Sequence, residues 1–583
     1  MEAPGTRKPG VAIRPRCRVP PWLALLGAAV ACTGEEPVPT PDPQAGFDLG
    51  PEIVCASPRA GFDRLVEQGA ERGLAPVEGS LSNEPGCWSF PPGIVARDMD
   101  GDGDIDLLLG RSGGFPTLYV NDGKGGLTET VVERPEDLAT RFGRPMLGLS
   151  AVDLDGDSLP EVALVAEGLA LLSWNLGEHR FSEPQVLFEQ VDYPRDCIHT
   201  MSWGDADGDG DLDLALPTAD RRQTPASPLE PVDPDNTAPD LLLLNEGGAF
   251  TPMVQLSGGA APTLSLFGLF TDRDNDGDAD LLIGSDRGDW SVPPTAFYRN
   301  DGLDPQGLPL YVDDAAVIGA DLGISAMGAG ISDFNEDGLL DYCLTTTGAR
   351  LMCLASDGAG GYFESAVAMG LQVDLSANPD VPAGNPPSAW TGWSVVVTDL
   401  DNDGLVDVAT AAGQIVGPGF PSPGPGAPAQ PDALWQGMAS DRFEERSVQS
   451  GFADLAHHYG MAAADFEGDG YPDLVMAPLT GRPALWSNPC GAGAWLDVEL
   501  AGPPGNTDGL GAHVTLEVGG RTILQELAGP RSLGQGPARL HFGLGAAEVV
   551  DSIVVSWPDG AQSRAEDLPV RRLVSVTHPE FLD

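Results

Sequence analysis

Basic residues are scarce: 31 Lys+Arg stand against 87 Asp+Glu in 583 residues, a formal charge of −56. A surface this negative repels phosphate backbones and anionic lipid, which excludes nucleic-acid partners and docking through a polybasic patch. Paired zinc-type cysteines are missing too. No C-x-x-C occurs among the eight cysteines, so a four-cysteine zinc site has no basis. Beyond residue 32, no apolar run is long enough to cross a bilayer as a helix. Long helices are disfavoured because 76 Gly and 54 Pro punctuate the chain and point to a turn-rich fold. Hydrophobic residues still make up 42%, enough to bury cores, so the acids do not belong to a disordered tail.

The amino terminus reads as a targeting segment. Arg7, Lys8, Arg14, Arg16 and Arg18 precede an apolar run, residues 22–31, that ends at Cys32. Roughly ten apolar residues are too few to span a bilayer. The run Ala29-Val-Ala-Cys32 resembles a bacterial lipobox, which implies lipidation of Cys32; the alternative is an ordinary secretory signal cut near Ala31. Either way the protein is expected to be exported, secreted or held in the cell envelope, with membrane contact through a lipid anchor alone. Residues 1–32 are thus the signal, and the Pro-rich residues 33–51 an extended, core-free tether. Six cysteines remain downstream, and an even number in an exported protein permits disulfides. Cys343 and Cys353 lie symmetrically about Gly348, so a hairpin turning there sets them opposite each other. Cys55 with Cys87 is a second candidate pair.

What the chain has in abundance is one acidic nonapeptide, repeated seven times at spacings of 52 to 67 residues. Its candidate ligands are Asp98, Asp100, Asp102, Asp104 and Asp106 in the first copy; Asp153, Asp155, Asp157 and Glu161 in the second; and Asp205, Asp207, Asp209, Asp211 and Asp213 in the third. The fourth has Asp272, Asp274, Asp276, Asp278 and Asp280, the fifth Asp333, Asn335, Asp337 and Asp341, the sixth Asp399, Asp401, Asp403 and Asp407, and the seventh Asp465, Glu467, Asp469 and Asp473. Oxygen donors at positions 1, 3, 5 and 9, a backbone carbonyl near 7, and Gly at 6 in all but one copy describe a loop coiled around a hard cation. Ca²⁺ fits best, up to seven ions, because it accepts six to eight oxygens in flexible geometry, whereas Zn²⁺ would want His or Cys. The seven copies hold 31 of the 87 acids, so much of the net charge has a metal-shaped explanation.

An EF-hand needs an acid at position 12, where these copies carry Leu109, Leu164, Leu216, Ile283, Leu344, Thr410 and Met476, so that class is excluded. Short β-type runs follow each loop instead, and turn signals such as Asn121-Asp-Gly123 and Asn300-Asp-Gly302 end a further strand. Aromatic-led pieces reaching Gly-Phe or Gly-Leu, residues 443–452 and 363–371, add a third. Several strands every 52 to 67 residues, seven times, predict an all-β, seven-bladed β-propeller over 52–489. The copies resemble FG-GAP/VCBS repeats, the calcium-loop blades of integrin α-subunit heads and of secreted bacterial proteins. Residues 506–514, 541–545 and 551–560 resemble the ASPIC/UnbV domain that follows such repeats in proteins similar to cartilage acidic protein, giving a small β-rich domain at 490–583. This resemblance implies an exported, calcium-loaded, largely non-enzymatic scaffold.

The seventh unit lacks its own aromatic-led strand before the tail begins, but residues 62–74 supply one at the other end of the chain. Residues near 61–67 are therefore expected to close the ring as the outer strand of the last blade, removing an open sheet edge. The longest insertions, 217–240 and 411–432, follow the strand that follows a calcium loop, and so belong to the opposite face. An unidentified protein or glycan is expected to bind there, making the protein a surface binding or adhesion scaffold. The competing reading is an envelope or polysaccharide-processing enzyme using the propeller as a platform. No convergent nucleophile or acid/base set supports it. Gly110-Arg-Ser-Gly-Gly114 leads to another strand rather than a helix, Arg287-Gly-Asp289 reads as a turn, His457 and His458 as packing or capping groups, and Trp203 and Trp393 as blade packing.

Overall fold

The computed structural model describes residues 44–59, 65–77, 93–111, 114–133, 141–190, 196–220, 239–253, 256, 264–286, 294–382, 384–415 and 428–582. The signal segment with Cys32, most of the tether, Cys87, residues 61–64 and the Arg287-Gly-Asp289 turn lie outside them.

Every acidic loop joins the first two of four antiparallel strands that follow one another in a sheet, to which the first sheet adds a fifth, parallel strand from the tail. In the second sheet Met146–Val152, Glu161–Ala166, Leu169–Ser173 and Gln185–Glu189 lie side by side in chain order. Seven such sheets occur among the described residues, with first strands Ile94–Arg97, Met146–Val152, Ser202–Gly204, Ser265–Thr271, Ala329–Ser332, Gly392–Thr398 and His458–Ala464. The sequence dictates which strand lies inside. Met146–Val152 is apolar or small throughout and fully buried, whereas Gln185–Glu189 alternates and is largely exposed. Each sheet therefore runs from the interior outward.

Neighbouring sheets bury their faces against each other. Leu108 and Leu164 join the first to the second, Leu172 and Leu214 the second to the third, and Leu242 and Leu281 the third to the fourth. Phe297 with Tyr342, Leu351 with Trp435, and Leu434 with Leu474 continue the series. Val475 and Leu107 return it from the seventh sheet to the first. The fold is a β-propeller, held by burial at about 1.5–3 kcal/mol per large apolar side chain. Trp203 and Trp393 are fully buried in this packing; their indole N–H groups donate to Ser150 Oγ (3.0 Å) and the Gly413 carbonyl (2.8 Å).

The ring closes as the missing strand required. Val66–Glu67 is the outer strand of the seventh sheet, pairing Val66 with Ser487 and Glu67 with Trp486. The aromatic-led pieces differ from expectation beyond their first residues. Tyr362–Glu364 and Arg442–Glu445 are outer strands, but each passes into one helical turn, Ala366–Met369 or Ser447–Ser450. Gly370 ends its turn at φ 96°, where a Cβ would come within 2.6 Å of the Phe443 carbonyl oxygen.

The tail packs two four-stranded sheets face to face. Ala494–Ala501 lies between Arg539–Gly545 and Arg572–Thr577, and His513–Val518 between Arg521–Glu526 and Val549–Ser556. Leu496, Val514, Ile553 and Val574 share their core. The end of the expected tether belongs here: Phe47–Leu49 pairs with Arg572–Thr577 as an edge strand, Phe47 opposite Val576. That strand is too short for a sequence pattern to announce it.

Cys343 and Cys353 are cross-strand partners and form a disulfide. The expected Cys55–Cys87 pair is corrected: Cys55 bonds Cys490, 435 residues away. The segment that runs along the tail reaches the propeller–tail junction, where Arg59 also pairs with Gly491. Cys197 is disulfide-bonded as well. The disulfides fit an exported, extracytoplasmic protein. Among the described residues no helix is long and apolar enough to cross a membrane.

Candidate metal centres

One hydrogen-bond scheme shapes all seven loops. The position 1 carboxylate accepts the backbone N–H of position 6: Gly103, Ser158, Gly210, Gly277, Gly338, Gly404 and Gly470 donate to Asp98, Asp153, Asp205, Asp272, Asp333, Asp399 and Asp465 at 2.6–3.1 Å. Position 6 has φ between 67° and 96° in every copy, which explains the preference for Gly and makes Ser158 the strained exception. Position 9 begins the second strand, and its carboxylate ties the loop to the sheet. Asp106, for instance, accepts from Met99 N–H (3.0 Å) and from Asn121 N–H on the third strand (2.8 Å). Asp213 does the same with Ala206 and Asn245, Asp341 with Phe334 and Ser356, and Asp407 with Leu400 and Gly437.

These bonds draw carboxylates of like charge together. In the first three loops, oxygens of Asp98, Asp100 and Asp106, of Asp153, Asp155 and Glu161, and of Asp205, Asp207 and Asp213 lie within 4.8 Å of one another. Asp272, Asp274 and Asp276 form such a group in the fourth loop. Glu246, at the end of the third strand of its sheet, joins Asp207 and Asp209; no repeat in the sequence marks it. Asp211, also expected as a ligand, accepts from Gly247 N–H through Oδ2 (2.8 Å).

Burial dominates the electrostatics. It pushes Asp106 and Asp341 up to about 7, and Glu161, Asp213 and Asp280 up to about 8, against the opposing backbone hydrogen bonds. Asp205, Asp272, Asp333 and Asp465 rise to about 6 for the same reason. Asp399, Asp407 and Asp473, more deeply buried, are displaced well above the usual carboxylate range. Two buried oxygens, Asp100 Oδ1 and Glu161 Oε1, have no hydrogen-bond partner. Converging oxygens and orphaned lone pairs fit a hard divalent cation, while in the seventh loop Glu467 is paired with Arg72.

The fourth loop departs from this plan. Position 2 is apolar elsewhere (Met99, Leu154, Ala206, Phe334, Leu400 and Phe466) but is Arg273 here. Its buried guanidinium pairs with Asp280 (3.1 Å) and Asp314 (2.9 Å) and lies over the Phe297 ring at 5.0 Å.

The tail covers the loop side of the propeller. Thr507 Oγ1 donates to the Asp153 carbonyl (3.0 Å), and Asp508 accepts from Asp153 N–H while binding Arg97 through both oxygens at 2.7 and 2.8 Å. Leu212 N–H donates to the Gly505 carbonyl, Asp272 N–H to Glu526, and Arg521 to the Gly404 carbonyl and Glu336. Over the sixth loop the fit is close: a Cβ on Gly543 would fall 1.8 Å from Asp399 Oδ2.

From the same domain, residues 527–537 enter the axis and touch the first strand of every sheet. Ile94 N–H donates to the Leu533 carbonyl, Gln535 bonds both backbone groups of Ala151, and Gly529 lies against Trp203. Leu266 packs on Leu533, Ala329 N–H reaches the Arg531 carbonyl, Ser394 bonds Ser532, and the Met461 carbonyl abuts Gly534. The first-strand pairing of Ile94–Arg97 is thereby extended by a parallel strand, Gly534–Gln535.

The fold and its loops thus define a β-propeller with acidic, cation-competent loops and a capping β domain. Residues 98–164 and 153–216 match the FG-GAP-like repeat family, and residues 502–581 match ASPIC and UnbV, so the chain carries FG-GAP-like repeats followed by an ASPIC/UnbV domain. No curated protein shows significant similarity to the sequence. Among solved structures, the chain is similar to a lectin from Agrocybe aegerita described for recognition of non-reducing terminal N-acetylglucosamine, at 14% identity and a TM-score of 0.37, covering 66% of this chain and 88% of the lectin. It is also similar to BBS1N crystallised with ARL6DN (8%, TM-score 0.37, 72% and 98% covered) and to the BP39L lectin of Burkholderia pseudomallei (11%, 0.41, 69% and 98%).

Proposed function

We propose that the protein is an exported, calcium-loaded propeller of seven blades that serves as a non-catalytic binding scaffold, anchored through a lipid on Cys32 or secreted. Calcium, held by carboxylates at positions 1, 3 and 9 with help from position 5, supplies the positive charge that these loops lack and stiffens the connection between first and second strands. A protein or glycan partner binds on the face away from the loops, the face to which the sequence pattern assigns insertions 217–240 and 411–432.

The observation that carries this reading is the position of the tail. It occupies the loop side and fills the axis with residues 527–537, so the opposite side is what remains for a partner. The arrangement nearest to catalytic machinery, His458 Nδ1 at 2.7 Å from Asp432, has a structural counterpart. Asp432 accepts from Ala412 N–H (2.8 Å) just as Asp240 accepts from Thr218 N–H (2.8 Å), and Asp240 then holds Ser265 Oγ (3.0 Å) where Asp432 holds His458. Asp432 ties the second strand of the sixth sheet to the first strand of the seventh, and Asp240 ties Thr218, just past the second strand of the third sheet, to the first strand of the fourth. His457 Nδ1 caps Gln414 N–H (3.0 Å).

Deleting residues 417–426 tests the reading. Partner capture from an envelope or glycan panel in calcium should fall, with the melting temperature within about 2 °C of the parent, as expected for a Gly/Pro-rich insertion tolerant of change. Undiminished capture would reject this face as the binding surface.

A further inference from the structure

The packing of the tail on the propeller leaves a cavity of ≈ 160 Å³ beside the axial segment. Its charged lining is unevenly partnered. The acids are committed: Asp508 is bound bidentately by Arg97, Asp497 holds His541 Nδ1 at 2.7 Å, and Glu526 accepts from Thr271 Oγ1 and Asp272 N–H. Asp465 accepts from Gly470 and Asp469 N–H within its own loop. Two arginines in the same lining are not. Arg531, on the axial segment, is half-buried beside the cavity with no hydrogen bond or ion pair to its guanidinium among the described residues, although its carbonyl is bonded by Ala329. Arg539 reaches Asp497 and Glu499 only at 3.9 Å, and its buried Nε has no partner.

A guanidinium carries five N–H donors in a planar fork. Left unmet in a protein interior, they are costly, and burial accordingly pushes Arg531 below the ordinary arginine value, offset in part by the charge of Glu526. The cavity holds more than one water, whose share of liquid volume is about 30 Å³. We propose that this axial cavity is a binding site for a small oxyanion, of carboxylate or phosphate type, gripped by Arg531 with Arg539 contributing. The carboxylates of the lining are engaged elsewhere, and a bidentate fork matches the two oxygens of either group. Because the tail contributes Arg531 and Arg539 while the propeller contributes the wall, the site exists only in the docked molecule, and its occupant would hold the two domains together.

The test uses the full chain at fixed free calcium and matched ionic strength. Malonate represents a planar carboxylate, sulfate a tetrahedral oxyanion, and chloride the control, each titrated by calorimetry and by thermal melting. The expected result is saturable binding of one ion, with a melting rise that chloride does not reproduce; which of the two ions is tighter identifies the source chemistry. Arg531→Gln should weaken binding by about tenfold or more, the scale of a lost charge-assisted pair, while melting at or above the parent temperature without anion. If that variant fails to fold, Arg531→Lys and Arg539→Gln serve, each expected to weaken binding while retaining the melt. Absence of saturable binding by either oxyanion, or binding unchanged in the Arg531 and Arg539 variants, would overturn the proposal.

Discussion

The first and fourth loops carry nearly the same nonapeptide and solve its electrostatic problem differently. In the first, Met99 at position 2 is buried among apolar neighbours, and Asp98, Asp100 and Asp106 converge with no arginine among them; Asp100 Oδ1 is left without a partner. In the fourth, Arg273 at position 2 turns a guanidinium inward and claims Asp280, so the converging oxygens are those of Asp272, Asp274 and Asp276. A repeated ligand pattern therefore does not by itself define a repeated metal site. The residue between the first two ligands decides whether position 9 serves a metal or an internal cation.

The largest expected effect concerns the ring as a whole. If calcium supplies the missing charge, a melt in excess calcium against one in chelator should differ by roughly 10 °C or more, since a ligand at a hundredfold its Kd contributes about 2.7 kcal/mol per site. Metal analysis of the same sample should find several ions per chain. Coincident melts and no bound metal would remove the basis for the calcium reading and, with it, the contrast between the two loops.

Next in size is Arg273→Met, which gives the fourth loop the residue of the first. Removing a buried cation strands Asp280 and leaves Asp314 with Arg299 alone, and breaking such a pair costs about 3–5 kcal/mol. Denaturant unfolding in chelator should show that loss. In calcium the loss should shrink, because Asp280 is released to act as its counterpart Asp106 would. A variant equally destabilised in both conditions would show that Arg273 is structural without competing for a ligand position.

Much of this was legible in the chain, for physical reasons that also mark the limit. Seven copies of one loop reveal a repeat because the same backbone turn needs the same carboxylates and the same positive-φ glycine each time. The closing strand could be inferred because an unpaired edge is costly and residues 62–74 matched the piece the seventh unit lacked. Cys343 and Cys353 were readable from a ten-residue hairpin, whereas Cys55 and Cys490 are brought together by packing across 435 residues, which local pattern does not encode. The placement of the tail was equally hidden. Asp508, Glu526 and Arg521 bear on acidic loops 117 to 355 residues away, and nothing in their own neighbourhood announces it. Arg273 was visible as a departure from the apolar position 2, yet its effect depends on Asp314, outside the repeat.

The finest test separates the two loops at one equivalent ligand. Burial raises Asp100 first, with Asp102 and Asp98 adding repulsion and His179 offsetting part of it. Asp274 is also raised by burial and by Asp276, but Arg273 and Arg299 pull it back. A carboxylate held above its unfolded value destabilises the folded state wherever it is ionised, so neutralising it should help at neutral pH when no metal is present. Asp100→Asn should therefore raise the chelated melting temperature slightly, by less than about 1 kcal/mol for a partly exposed charge. Asp274→Asn should not, because its removal also costs attraction to two arginines. In calcium Asp100→Asn should lose one bound ion and its advantage together, so that the sign of its effect reverses between the two conditions. If both variants behaved alike in chelator, the internal cation would be without influence on its own loop.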